Sequence, residues 1–84
     1  MPADFQLYES ILWTPAEGYT LLDHHLRRLL RSAAELGFPA DRDAVARALD
    51  RHAQGLRVPR KVRLAVDAAG AVSLADEAVR PSTP

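Results

Sequence analysis

Cysteine is absent from the chain, so neither a disulfide nor a thiolate-ligated metal site can form, and a reducing compartment is permitted. Histidine is scarce as well. His24 and His25 are adjacent, and neighbours on a helix project about 100° apart, so they cannot hold one ion together. His52 falls in a different segment, and no metal site is expected. No apolar run approaches the roughly 20 residues that cross a bilayer. The start MPADFQ lacks the basic-then-apolar order of an export signal, so no membrane partner and a cytoplasmic location are expected. Eleven basic residues balance eleven acidic ones, and a nucleic-acid binder needs a basic excess that is missing. A glycine-rich phosphate loop and a nucleophile elbow are missing too. Lysine occurs once, as Lys61.

What the chain does contain is organised around Leu22 to Pro39. Leu22, Leu26, Leu29, Ala33 and Leu36 recur at spacings of three and four, one stripe of an amphipathic helix. Leu30 widens the stripe, Arg28 sits near its edge, and Arg27, Arg31 and Glu35 occupy the opposite side. Asp23 is the expected N-cap. Gly37 followed by Phe38-Pro39 is the stop, because glycine adopts the left-handed conformation at the helix end and proline cannot continue it.

Before this helix, Asp4 to Trp13 alternates as a strand, with Phe5, Leu7, Glu9, Ile11 and Trp13 on one face. Gln6, Tyr8, Ser10 and Leu12 take the other. Residues 14–18 form a turn and Tyr19 to Leu21 a short return strand. Asp41 opens a second helix whose face is Val45, Ala48, Leu49, His52 and Leu56, ended by Gly55 and Pro59. Arg60 to Asp67 alternates again, with Val62, Leu64 and Val66 inward and Lys61, Arg63 and Ala65 outward. Residues 68–70 turn the chain into a last strand, Ala71 to Leu74. The tail from Asp76 is expected to be frayed.

The order β-β-α-α-β-β implies one small α+β domain, with its core over about residues 4–75: a four-stranded, mainly antiparallel sheet with both helices on one face. Two helices cannot cover both faces, so the face bearing Tyr8, Ser10, Leu12 and Arg63 is expected to bind something. A homo-oligomer through it is one expectation.

Glu9 interrupts an apolar strand face. It could form an acid–base pair with His25 or His52, or an ion pair with an arginine such as Arg28 or Arg63, and the ion pair is the favoured reading. Arg27, Arg28, Arg31, Arg57, Arg60, Lys61 and Arg63 could make a phosphate patch. The interleaved Asp23, Glu35 and Asp67 favour a solvated charged surface instead.

Taken together, Tyr8-Glu9-Ser10, Trp13-Thr14-Pro15 and the run His25-Leu26-x-Arg28-Leu29-x-x-Ser32-Ala33 with Leu36-Gly37-Phe38 resemble one family. They are followed by Lys61-Val62-Arg63-Leu64 before a hairpin. The pattern is similar to the N-terminal small domain of the class IV (fold-type IV) pyridoxal-phosphate enzymes, which include aminotransferases and 4-amino-4-deoxychorismate lyase. It looks nearest to the lyase-like segment fused to aminodeoxychorismate (para-aminobenzoate) synthase component I.

The resemblance implies that Arg28 reaches the cofactor phosphate from the helix. It also implies that Arg63 faces the active-site cleft, and that Tyr8 and Ser10 border the substrate pocket. The Schiff-base lysine of such enzymes belongs to a large domain that is absent from these 84 residues, and Lys61 does not match it. The chain is thus expected to lack catalytic residues, to bind no cofactor covalently, and to need the large domain in cis or in trans. The implied role lies in para-aminobenzoate and folate synthesis. The other reading is a non-catalytic interaction or dimerisation module with the same fold.

Overall fold

A computed structural model describes residues 5–79. The elements run β1 (Gln6–Thr14), β2 (Gly18–Tyr19), α1 (Leu22–Leu36), α2 (Arg42–Ala53), β3 (Arg60–Asp67) and β4 (Val72–Ala78). The strands form one sheet in the order β2-β1-β3-β4, antiparallel at every step. The expected α+β architecture is the observed one.

The alternation in β1 and β3 decides which residues meet the helices. Ile11, Val62, Leu64 and Val66 are fully excluded from water on one face, and Leu26, Leu29, Val45 and Leu49 close over them from α1 and α2. Fully burying a side chain of this size is worth about 1.5–3 kcal/mol. Ala65 points to the other face as expected, yet it is buried there, flanked in register by Tyr8 and Ser73.

Helix α1 ends as its sequence directs and α2 begins so, but α2 stops at Ala53 with Gln54 right-handed at its cap, so Gly55 makes no left-handed stop and Leu56, expected on its face, lies beyond it. At the end of α1, Gly37 takes φ 74°; its N–H donates to the Ala34 carbonyl and the Phe38 N–H to the Ala33 carbonyl. This is a Schellman closure with buried Phe38 as its apolar contact. Asp41 caps α2 by accepting from the Asp43 amide. Asp23 does not cap α1. The preceding position is Leu21, left-handed at φ 54° with no side-chain cap, and Asp23 lies inside the first turn, binding Arg27 and Arg42 instead.

Two further expectations are corrected. The return strand is Gly18–Tyr19 and not Tyr19 to Leu21, because the positive φ of Leu21 turns the chain directly into the helix. The last strand continues through Asp76 to Ala78, where a frayed tail was expected. Asp76 holds that end down, accepting from Arg60 and bonding His52. The fraying expected from Arg80 to Pro84, and Asp4 at the start of the first strand, lie outside the described residues.

Candidate functional site

The odd residue of β1 is the hinge of the site. Glu9 points into the helix-covered side of the sheet and is 9% exposed, an arrangement that needs partners for both carboxylate oxygens. Helix α1 supplies them one turn apart. Arg28 Nε donates to Oε2 at 3.1 Å and Nη2 to Oε1 at 2.9 Å, the two-bond edge that suits a guanidinium to a carboxylate. His25 Nδ1 lies 2.8 Å from Oε1.

Burial works to raise the pKa of Glu9, but the bonds from Arg28 and His25, with their charges, more than offset it and hold the group below the ordinary carboxylate value. An ionised carboxylate only accepts, so Nδ1 of His25 carries the proton in that bond. Glu9 in turn raises Arg28 above the usual guanidinium value. Acid–base and ion-pair readings of Glu9 meet in one triad. Arg63 and His52 are not part of it.

Arg28 is not consumed by this pairing. Its side chain is 58% exposed, and its Nη1 amine has no partner among the described residues. The free N–H groups fit an incoming oxyanion.

Among the described residues, no helix covers the opposite face. In register across β1, β3 and β4 it presents Tyr8–Ala65–Ser73, then Ser10–Arg63–Ala75, then Leu12–Lys61–Glu77. The Arg63 guanidinium lies 5.5 Å over the Tyr8 ring, a cation–π contact, and Tyr8 is 57% exposed. Beside it an open groove of about 550 Å³ is lined by Ser10, Leu12, Lys61, Glu77, Ala78 and Val79. Lys61 Nζ stands 3.6 Å from Glu77.

Arg63, Tyr8 and Ser10, marked as site residues by the sequence, therefore share one surface. Arg28 starts from the other side of the sheet. The broad phosphate patch dissolves into local pairs: Arg27 with Asp23, Arg57 with backbone carbonyls, Arg60 with Asp76, Lys61 with Glu77. A cluster the sequence did not assemble joins His52, Arg60 and Asp76. Arg60 first, and then His52, lower the pKa of Asp76. The signal that could have found it was Val72, Leu74 and Asp76 continuing the period of two. Among the described residues, no group of His, Cys, Asp or Glu side chains is placed to hold a metal, and no helix is long and apolar enough to cross a membrane.

The family model for amino-transferase class IV matches residues 6–82, the strands, the triad and the open face together. The chain belongs to the class IV aminotransferase family. Enzymes of this family depend on pyridoxal phosphate. A candidate amino-acid aminotransferase from Mesorhizobium loti, known from its crystal structure, is 35% identical and superposes with a TM-score of 0.86. The match covers 95% of this chain and 39% of the Mesorhizobium protein, so this chain spans well under half the length of that class IV relative. No curated protein matches it.

Proposed function

We propose that the chain acts as the small domain of a pyridoxal-phosphate enzyme of the class IV family, with the open sheet face lining a cleft completed by a separate, lysine-bearing domain. In this reading Arg28 contacts the cofactor phosphate, Arg63 faces the cleft, and Tyr8 and Ser10 border the substrate. The cofactor, when bound, supplies the electron sink for chemistry at the substrate carbon. The residues of this chain bind and orient around it.

The observation that carries the reading is the environment of Lys61. It is the sole lysine, half-exposed on the bare face and beside Glu77. A Schiff-base amine needs to be desolvated and held over the cofactor. Lys61 is not desolvated, so in this reading the chain is not catalytic alone and the covalent step belongs to a partner domain in cis or in trans. Within the family, the runs Trp13-Thr14-Pro15 and His25 to Phe38 favour a 4-amino-4-deoxychorismate lyase of para-aminobenzoate and folate synthesis over an aminotransferase.

The test is reconstitution. The chain is co-expressed with the lysine-bearing domain of a family lyase, and pyruvate release from aminodeoxychorismate is followed beside amino transfer to a keto acid. Pyruvate release that needs both pieces supports the lyase reading, and amino transfer alone moves the assignment to an aminotransferase. Failure of every such pairing, with concentration-dependent dimerisation of the chain, supports the other reading, an interaction module. That alternative is favoured by exposed Tyr8, Leu12 and Val79 on and beside the bare face.

A further inference from the structure

Two clusters, each a carboxylate, an arginine and a histidine, tie a helix to the sheet, and the difference between them is informative. In the Asp76 cluster each oxygen takes one partner: Arg60 Nε on Oδ1 and His52 Nε2 on Oδ2. Arg60 is held by one bond, and its side chain is 28% exposed. Arg60 lies on β3 and Asp76 on β4, so that bond joins two strands, and the His52 bond alone fastens α2 to the sheet edge. In the Glu9 cluster Arg28 takes both oxygens, and His25 doubles up on Oε1.

One bond leaves a guanidinium free to swing about it, whereas two parallel bonds fix its plane. Fastening α1 to β1 does not require that plane to be fixed on a side chain more than half in water. The histidine adds the complementary restraint, since its bond to Oε1 resists rotation of the carboxylate that holds the arginine.

We infer that Glu9 and His25 are positioning residues for Arg28: they hold its guanidinium in one orientation, with Nη1 and the outer Nη2 N–H presented to a phosphate group. The inference rests on the reading of Arg28 as a phosphate contact. Glu9 lowers the net charge of the site and so weakens its long-range pull on an anion. What it supplies is order. A free arginine must lose rotamer freedom when it binds, and Arg28 has already lost it in the unliganded protein.

The opposing effects of Glu9 give the test its sign. The 15N-labelled chain is titrated with inorganic phosphate at constant ionic strength, and the Arg28 Nε–Hε signal is followed by NMR. Glu9→Asp keeps the charge but draws the carboxylate back by one methylene. Glu9→Gln keeps the length but removes the charge. Positioning predicts that both variants, with backbone spectra like the parent's, weaken the phosphate response of Arg28 by about three- to tenfold, the factor tied to ordering one long side chain on binding. A counter-ion role predicts that Glu9→Asp binds as the parent does and Glu9→Gln more tightly, which overturns the proposal. An Arg28 signal that ignores phosphate in the parent chain overturns it as well, while leaving the domain reading to the reconstitution experiment.

A second readout needs no variant. In the parent, the Nη hydrogens of Arg28 are expected as separate, slowly exchanging resonances, and Arg63 gives averaged ones. Averaged Nη signals from Arg28 overturn the proposal even where the substituted chains do not fold.

Discussion

Gly70 packs so closely on Pro39 that a Cβ added to it would lie 2.2 Å from the Pro39 carbonyl oxygen. The contact ties the β3–β4 hairpin to the connection between the two helices, and Gly70 is also left-handed, at φ 86°. Gly70→Ala therefore meets two obstacles. The backbone conformation alone costs about 1–3 kcal/mol in a residue with a side chain, and the overlap with main chain cannot be relieved by turning a rotamer. Thermal unfolding should fall by several degrees or more, at about 4–8 °C per kcal/mol for a domain of this size. Gly55→Ala is the control, since its nearest neighbour is the His52 carbonyl at 3.8 Å. Equal losses in the two variants would show that the Pro39 contact is unimportant.

Helix capping predicts a contrast between two aspartates. Asp41 accepts from the Asp43 amide in the first turn of α2, and Asp41→Ala should cost about 1 kcal/mol. Asp23, read from sequence as the cap of α1, serves exposed Arg27 and Arg42, and Asp23→Ala should cost less because surface pairs contribute little. Urea unfolding midpoints for the two variants settle the order.

Much of this architecture was legible in the sequence because alternation and helical spacing are local signals. Val62, Leu64 and Val66 announced the inward face of β3, and Gly37-Phe38-Pro39 announced the end of α1. What failed depended on contacts distant in sequence. Asp76 looked like the start of a polar tail until His52 and Arg60 met it, and Asp23 looked like a cap because nothing local reveals the positive φ of Leu21. The site was half legible: Glu9 stood out on an apolar strand face, but no spacing rule could say that His25 and Arg28 would share its oxygens.

Acid should weaken the fold through the same carboxylates. The folded-state pKa of Glu9 lies below its ordinary 4.5 and that of Asp76 below 3.8. A depressed carboxylate contributes stability that is present above its unfolded pKa and is lost as pH falls through its folded pKa. The urea midpoint of the parent should hold steady down to about pH 4.5 and then decline. Asp76→Asn should start lower at pH 7 and decline less steeply. Parallel curves for the two proteins would mean that the Asp76 cluster contributes no pH-linked stability.

Tyr19 makes the corresponding argument at alkaline pH. Its hydroxyl donates to the Leu49 carbonyl at 2.7 Å, joining β2 to the middle of α2. Burial first, then the nearby Asp50 and Asp76, push its pKa from 10.0 up to about 12. Between those values the unfolded chain ionises and the folded one does not, so stability that is fully present below pH 10 drains away as pH rises toward 12. Tyr19→Phe should cost about 1 kcal/mol at pH 7, the net worth of one hydrogen bond with its carbonyl partner left behind. The same variant should lose less stability than the parent between pH 10 and 12, because no hydroxyl remains to ionise. Urea titrations at pH 7, 10 and 11.5 would show the two curves converging; a gap that stays constant would mean that Tyr19 ionises alike in both states and that its burial does not control its proton.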